Sequence, residues 1–208
     1  MKIIFGTTNE RKVIDLKNTI KRLDLDIEVL DLNDINWDRG EIEETGSTIE
    51  ENSMIKAKAI LNFCKDNINY PIITDDAGLF CEALNGEPGV YTARYADEER
   101  SNNPELPKYQ CVIKLLDKLK NESNRNAYYK CTVTCITKDK IIQKTEKSNG
   151  TIAKEILGEL KKPYFYSVFM YNNKPFSSLS NEELISTYRY TALEETLKEI
   201  KEEYKWKN

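Results

Sequence analysis

The sequence predicts a protein of the α/β class. Two observations point to it: short apolar or alternating runs typical of strands recur along the chain, and helical patterns with one apolar face separate them. The 208 residues contain no linker-like tract and no internal repeat. We therefore expect one domain over residues 1–208, with two lobes around a cleft as one possible arrangement.

The first three predicted elements follow one another closely. Residues 2–6 are apolar and predict a buried strand. Residues 10–23 carry apolar side chains at helical spacing and predict an amphipathic helix, and residues 26–32 alternate and predict a second strand.

A second helix is predicted over residues 48–66, after an acidic stretch. Its start has the spacing of a capping box, either Ser47 with Glu50 or Thr48 with Glu51.

The remaining predicted elements are, in chain order, a short strand at 71–75 that ends in paired aspartates, a helix near 108–120, a strand pair in "YYKCTVTCIT" and "KIIQKTEKSNG", an aromatic strand near 164–171, and a final helix near 181–204. Asn149 and Gly150 predict a turn after the strand pair.

Composition narrows the function classes. The net charge is −4 and no segment forms a basic stripe, so we expect no nucleic acid polymer as a partner. The sequence contains no run of about 18 apolar residues, so no membrane span is predicted. The five cysteines are odd in number and scattered, which argues against a disulfide framework and for a cytoplasmic protein.

The chain has no histidine, which removes Ser-His and Cys-His nucleophile systems and imidazole metal sites. Acid–base chemistry must then come from carboxylates, Lys, Tyr, Cys or metal-bound water. The 35 acidic residues make a hard divalent cation the natural cofactor to consider.

"TTNERK" joins the first strand to the first helix. Such a junction directs free backbone N–H groups and the positive end of the helix dipole at a bound anion. Thr7, Thr8 and Asn9 add short polar side chains, and Lys12 can reach back toward the same anion. Taken alone, the pattern is more typical of an ordinary helix capped by Asn9, and it lacks the glycines of a Walker loop.

Two further segments carry acidic residues. Glu43 and Glu44 precede the helix that contains Lys56, which suits a metal–phosphate clamp but also a solvated acidic surface. Asp75 and Asp76 follow an apolar strand, where one carboxylate can hold a metal while the other takes a proton from water. A turn rich in Asp accounts for the same pair without chemistry.

Together the three segments resemble the Ham1/inosine triphosphate pyrophosphatase family. Thr7, Asn9 and Lys12 match its Thr/Ser-x-Asn-x-x-Lys motif. "EETGSTIEENSMIKAKA" and "DDAGLFCEALNGEPGVYTARYA" resemble its acidic and paired-aspartate motifs, and "RNAYYKCTV" resembles its Arg-x-Ala-x-Phe-x-Cys strand. The resemblance extends over residues 1–137.

The resemblance implies a mixed twisted sheet with flanking helices, two lobes around a central cleft, and usually a homodimer. It implies Mg²⁺-dependent hydrolysis of a nucleoside triphosphate to a monophosphate and pyrophosphate. The residues it implies are the metal ligands Glu43, Glu44, Asp75 and Asp76, the base Asp76, the catalytic and phosphate-binding Lys12 and Lys56, and the further substrate contacts Thr7, Thr8, Asn9, Ala77, Tyr164, Phe165, Tyr188 and Arg189.

The C-terminal third departs from the family. "GELKKPYFYSVF" stands where the family has Gly-Phe-Gly-Tyr-Asp-Pro, and it retains aromatics but lacks the Asp. Arg189 matches the arginine of the Ser-His-Arg triplet, while Tyr188 replaces the histidine and the preceding lysine is missing. Base preference is therefore expected to be relaxed or shifted, unless the Tyr188 hydroxyl and backbone groups rebuild the purine contacts.

Two other functions remain open from the sequence. One is a binding paralogue that kept the phosphate cradle and lost turnover. The other is an all-α pyrophosphohydrolase with glutamate clusters, against which the strand patterns at 2–6, 71–75 and 128–136 argue.

Overall fold

The computed structural model describes residues 1–64 and 70–203 and confirms the α/β class. Its strands are β1 Lys2–Phe5, β2 Glu28–Leu30, β3 Ile72–Cys81, β4 Asn126–Ile136, β5 Ile141–Ile152, β6 Phe169–Tyr171 and β7 Lys174–Pro175. They form one mixed sheet in the order β2-β1-β3-β4-β5-β6-β7. β1 pairs in parallel with β2 and β3, whereas β6 pairs antiparallel with β5 and β7.

Helices flank this sheet. They are α1 Glu10–Arg22, α2 Ile49–Phe63, α3 Asp97–Asn102, α4 Gln110–Lys118, α5 Asn181–Leu184 and α6 Tyr188–Glu203. Short 3₁₀ helices occur at Glu82–Leu84, Gly89–Arg94, Tyr164–Ser167 and Phe176–Ser178. Within the described residues, no helix is both long and apolar enough to cross a membrane.

The chain divides into two compact units, each built from separate stretches of sequence. The first unit comprises Met1–Asp76, Cys131–Glu146 and Ile185–Asn208, and the second comprises Ala77–Lys130 and Lys147–Leu184.

The first unit has an aliphatic core. Ile4, Ile60 and Ile72 are almost fully buried and pack together with Leu32. Gly6, at the end of β1, has no space for a side chain, because a Cβ there would lie 2.2 Å from Ile60 Cδ1. The end of β1 therefore lies directly against α2.

The second unit has an aromatic core. Tyr129 makes edge contacts with Tyr166 and Phe169, at centroid distances of 5.3 and 4.9 Å. Phe176 packs against Tyr166 at 4.6 Å. Such edge and tilted arrangements are the favourable ones for ring quadrupoles.

The predicted strand at 71–75 was too short, since β3 continues to Cys81. The aspartates consequently lie inside a strand and not at its end. The alternative of an Asp-rich turn is therefore wrong, and Gly78, two residues after the pair, is needed for close packing: a Cβ there would lie 2.4 Å from the carbonyl oxygen of Gly89. Close approach of two backbones requires the glycine there.

Two other predictions were wrong, namely the turn at Asn149 and Gly150 and the strand at 164–171. Asn149 and Gly150 lie within β5 and form no turn, since a Cβ at Gly150 would lie 2.1 Å from the carbonyl oxygen of Met170 on β6. The strand predicted at 164–171 begins only at Phe169, and residues 164–167 form a 3₁₀ helix in which Ser167 Oγ donates to the carbonyl of Tyr164 at 2.7 Å.

The final predicted helix is divided in two, because α5 ends at Leu184 and α6 begins at Tyr188. Residue 204, at its predicted end, lies outside the described residues, as do residues 65 and 66 at the predicted end of α2. The predicted helices at 10–23 and 108–120 are confirmed as α1 and α4.

Thr48 is the N-cap of α2, with the complete capping box. Its Oγ1 accepts from the Glu51 backbone N–H at 3.1 Å, and Glu51 Oε2 accepts from the backbone N–H of Thr48 at 3.2 Å. Of the two spacings in the sequence, the structure selects Thr48 with Glu51.

Replacement of Thr48 by Ala is expected to lower the free energy of unfolding by about 1 kcal/mol, since an N-terminal amide of α2 loses its acceptor. Urea unfolding of the purified chain measures this loss. Ser47→Ala is the matched control, because the Ser47 hydroxyl also contacts Glu51 Oε2 (2.8 Å) but does not cap the helix. A larger loss for Ser47→Ala would contradict the assignment of the cap.

Candidate active site

The segment "TTNERK" forms the junction between β1 and α1. Asn9 is the N-cap of α1, and its Oδ1 accepts from the Arg11 backbone N–H at 3.1 Å. Thr7 Oγ1 accepts from the backbone N–H of Asn9 at 3.1 Å, and Thr8 is exposed. These polar side chains thus order the turn, while the first turn of α1 presents its amide groups and dipole next to it.

Asp75 is the most buried carboxylate of the site, with a side chain 1% exposed. Its Oδ2 accepts from Arg189 Nη1, and Lys12 Nζ lies 2.9 Å from its Oδ1. Burial disfavours the charged form, but Arg189, Lys12 and Lys56 outweigh burial and hold the pKa of Asp75 far below its usual value. Asp75 is therefore ionised at neutral pH.

Asp76, the next residue, has a different environment. Its Oδ1 lies 3.3 Å from Lys56 Nζ, and the same ammonium lies 3.1 Å from Glu44 Oε1. Burial and the nearby Glu44 raise the pKa of Asp76, although Lys56 opposes the shift. Burial lowers the pKa of Lys56, but the three carboxylates around it prevail and raise it.

The alternation of β3 explains why the two aspartates differ. Consecutive side chains of a strand point to opposite faces of the sheet. Asp75 meets Lys12 on α1 and Arg189 on α6, whereas Asp76 meets Lys56 on α2. Thr74 is on the same face as Asp76 and also contacts α2, through Ser53.

The structure thus brings together six of the predicted residues in the first unit. They are Lys12, Glu44, Lys56, Asp75, Asp76 and Arg189. Glu43 is not drawn into this group: its side chain is exposed, and it takes part in none of the ion pairs among the described residues.

Three predicted residues belong to the second unit. Ala77 follows Asp76 in β3 and is partly buried. Tyr164 and Phe165 lie in the 3₁₀ helix that replaces the predicted strand. Phe165 is 3% exposed and packs against Tyr95 at a centroid distance of 6.2 Å, so it belongs to the core of that unit, while Tyr164 is more accessible.

Tyr188 and Arg189 are the first residues of α6. Tyr188 is 2% exposed, and the neighbouring Arg189 extends to Asp75. Arg189 therefore has a structural partner in addition to the substrate role that its motif position implies.

Sequence reasoning missed three neighbours of these residues. Asp15 lies 3.7 Å from Arg189 Nε and accepts a hydrogen bond from the Tyr190 hydroxyl at 2.9 Å. The Cys131 thiol lies 3.9 Å from Asp75 Oδ2, and burial raises the pKa of Cys131 to about 12, so the thiol stays protonated. Asp15 was detectable in the sequence, because it lies three residues after Lys12 on the same helix face.

Glu44 and Asp76 are the carboxylates of this group that could hold a divalent cation. Mg²⁺ takes oxygen ligands, commonly from one or two carboxylates together with substrate phosphates and water. Asp76 Oδ2 is buried and has no hydrogen-bond partner among the described residues, and Glu44 is near the same lysine. In residues 1–64 and 70–203, no three acidic or cysteine side chains are arranged to hold a metal by themselves.

Comparison with known proteins agrees with the motifs. A model of the Ham1 family matches residues 3–199. The chain is similar to the dITP/XTP pyrophosphatases of Borrelia garinii subsp. bavariensis (37% identity, 87% of this chain and 86% of the relative) and of Leptospira interrogans (35% identity, 96% of each). The Ham1 protein structure from Staphylococcus aureus superposes with a TM-score of 0.79, at 29% identity, covering 98% of this chain and 100% of that one.

Asp75→Asn is expected to destabilise the chain by about 3 kcal/mol, because Arg189 and Lys12 would lose the carboxylate that neutralises them. The pKa of Asp75 is lower in the folded state than the value of about 3.9 in an unfolded chain. Its contribution is therefore complete above about pH 5 and is lost as the pH falls toward the folded-state pKa. Urea unfolding across the acidic range should show the wild type and the variant converging.

The adjacent Asp76→Asn is the control for this measurement. Burial already disfavours the charged form of Asp76, so we expect a much smaller loss from its neutralisation. Equal losses for the two variants at neutral pH would contradict the opposite environments of the pair.

Proposed function

The chain belongs to the Ham1 family, and on that premise we propose that it is a nucleoside triphosphate pyrophosphatase. It would split non-standard purine triphosphates, such as ITP, dITP and XTP, into a nucleoside monophosphate and pyrophosphate. The names of the two curated relatives support this substrate class. The proposal includes a homodimer, as the resemblance implies, and a cytoplasmic location, as the cysteine pattern indicates.

One observation carries the proposal. Residues from three separate motifs, at positions 12, 44, 56, 75 and 76, form two groups of ion pairs on the adjacent Asp75 and Asp76, and the charges of Lys12 and Lys56 act on both aspartates. A buried group of lysines and carboxylates is costly to assemble for stability alone. It is suited to a ligand that carries negative phosphates together with a cation.

Asp76 is the proposed general base. One of its oxygens contacts Lys56, while Oδ2 has no hydrogen-bond partner among the described residues and is the atom that would take the proton from the attacking water. Water then forms a new P–O bond as the bond between the α- and β-phosphates breaks. Asp75 cannot share this role, because Arg189 and Lys12 keep its oxygens engaged.

Lys12 and Lys56 are the proposed phosphate-binding cations. Their side chains are 21% and 10% exposed, and each is already held in place by a carboxylate. The junction of Thr7, Thr8 and Asn9 would bind the same phosphates through the amide groups of the first turn of α1. Together they would stabilise negative charge that builds up on the departing pyrophosphate.

Glu43, Glu44, Asp75 and Asp76 remain the proposed carboxylates for Mg²⁺. Glu44 has the environment that fits best, because Asp76 Oδ2 is assigned to the proton and Asp75 is engaged by Arg189 and Lys12. When bound, the ion supplies positive charge that neutralises the triphosphate. Ala77, Tyr164, Phe165, Tyr188 and Arg189 are the remaining proposed substrate contacts, and they rest on their motif positions.

Incubation of the chain with ITP and Mg²⁺ is expected to release pyrophosphate and IMP, and excess EDTA is expected to stop the reaction. Asp76→Asn should lower kcat by about 10²-fold or more and leave the far-ultraviolet circular dichroism spectrum unchanged. Anion-exchange chromatography identifies the products. The control is Asp117→Asn, an exposed aspartate of α4, which should keep the wild-type rate.

Full activity in EDTA, or a wild-type rate for Asp76→Asn, would contradict the assignment of metal and base. Release of IDP and orthophosphate as the first products would mean that the γ-phosphate is transferred, and that the role given to the lysines is wrong.

Discrimination between bases is expected to be weak. The chain has aromatic residues where the family has its base-recognition motif, but it lacks the Asp and the histidine. Stacking on aromatic rings contributes roughly 1–3 kcal/mol for any base, whereas rejection of a wrong base needs polar groups that it leaves unpaired. We therefore predict that kcat/KM for ITP exceeds that for ATP and GTP by less than about 10²-fold.

A panel of ITP, XTP, dITP, GTP, ATP, dUTP and CTP measures this preference, with Tyr188→Phe as the paired variant. A preference above about 10²-fold for ITP that collapses in Tyr188→Phe would contradict the prediction. It would show that the Tyr188 hydroxyl rebuilds the missing purine contact.

A further inference from the structure

The acidic loop, residues 43–46, is attached to α2 through one buried side chain. Asn52 is 0% exposed, and its Oδ1 accepts from the backbone N–H of Gly46 at 2.8 Å. Its Nδ2 is also buried and has no hydrogen-bond partner among the described residues. A buried amide with an unpaired donor is unfavourable. Its presence here indicates that the hydrogen bond accepted by Asn52 Oδ1 is required.

Gly46 lies directly on the helix at this point. A Cβ on Gly46 would lie 2.6 Å from Asn52 Oδ1 and 2.7 Å from Glu51 Cβ. Any side chain at residue 46 would therefore push the Gly46 backbone away from α2. The capping box holds the amide groups of Ser47 and Thr48 but does not reach Gly46, whose amide depends on Asn52.

Glu44 is only two residues before Gly46, and its partner lies on the same helix. Asn52 and Lys56 are four residues apart and share one face of α2. The helix thus holds the loop at two points: Asn52 binds the Gly46 amide, and Lys56 binds the Glu44 carboxylate at 3.1 Å. Lys56 also contacts Asp76, so a single residue, Lys56, links Glu44 of the loop to the proposed base.

We infer that Asn52 is a positioning residue: through Gly46 it holds the acidic loop so that Glu44 stays beside Lys56 and Asp76. The inference rests on the proposed function for its effect on turnover. Asn52 itself is not proposed to contact the nucleotide or the reacting atoms. A displacement of about 1 Å in such a group can cost about 10²-fold in rate.

Asn52→Ala is expected to lower kcat for ITP by about 10-fold to 10²-fold and to speed hydrogen exchange at the Gly46 amide by at least about 10-fold. Ser53→Ala is the matched control. Ser53 is the next residue of α2 and equally buried, but its hydroxyl bonds to Thr134 Oγ1 at 2.8 Å, away from the acidic loop. It should reduce stability without changing exchange at Gly46, and kcat should stay within about threefold of the wild type.

Gly46→Ala perturbs the same contact from the loop side and serves if Asn52→Ala fails to fold. Its Cβ should displace the loop and give the same loss of kcat, and the double variant should lose little more, because the two residues act through one contact. Equal effects of Asn52→Ala and Ser53→Ala on kcat, or unchanged exchange at Gly46, would overturn the inference.

The two proposals fail in different ways. A wild-type chain without turnover on any nucleotide would overturn the proposed function. Amide exchange at Gly46, measured by mass spectrometry without nucleotide, would still decide whether Asn52 holds the acidic loop.

Discussion

The buried carboxylate of Asp75 is the constraint around which the first unit is organised. A charge at 1% exposure must be compensated, and here Arg189 and Lys12 do so from two different helices. These two pairings bring the start of α1 and the start of α6 to the middle of β3. Asp15 and Tyr190 reinforce the arrangement, because they link the same helices beside Arg189.

The opposite face of β3 carries a complementary group. Lys56 stands between Asp76 and Glu44, so one ammonium neutralises two carboxylates that would otherwise repel each other. Acidic oxygens and lysines thus balance one another. The proposed magnesium–triphosphate substrate carries both signs of charge and would take over both sets of partners.

Much of the fold could be predicted from the sequence, and the two failures at glycines have a common cause. α1, α2 and α4 were predictable because their apolar periodicity and caps are local properties. Gly78 and Gly150 suggested turns, yet both are glycines because another backbone passes within contact distance. Local composition cannot distinguish a glycine needed for a turn from one needed for close packing. Residues 164–167 differ for another reason: the consecutive aromatic side chains Phe165 and Tyr166 are both buried, so the segment lacks the alternation of a strand.

The family, the order of the main elements and the residue types of the site follow from the sequence alone, because motif spacing and hydrophobic periodicity are local properties of the chain. The sequence also implied Lys12, Glu44, Lys56, Asp75, Asp76 and Arg189 as a group. The division of this group depends on the tertiary structure, which places Asp75 between Arg189 and Lys12 and pairs Asp76 with the same Lys56 that binds Glu44. The pairing depends on which helix packs on which face of β3, and that choice is made by long-range burial and charge compensation between residues more than a hundred positions apart.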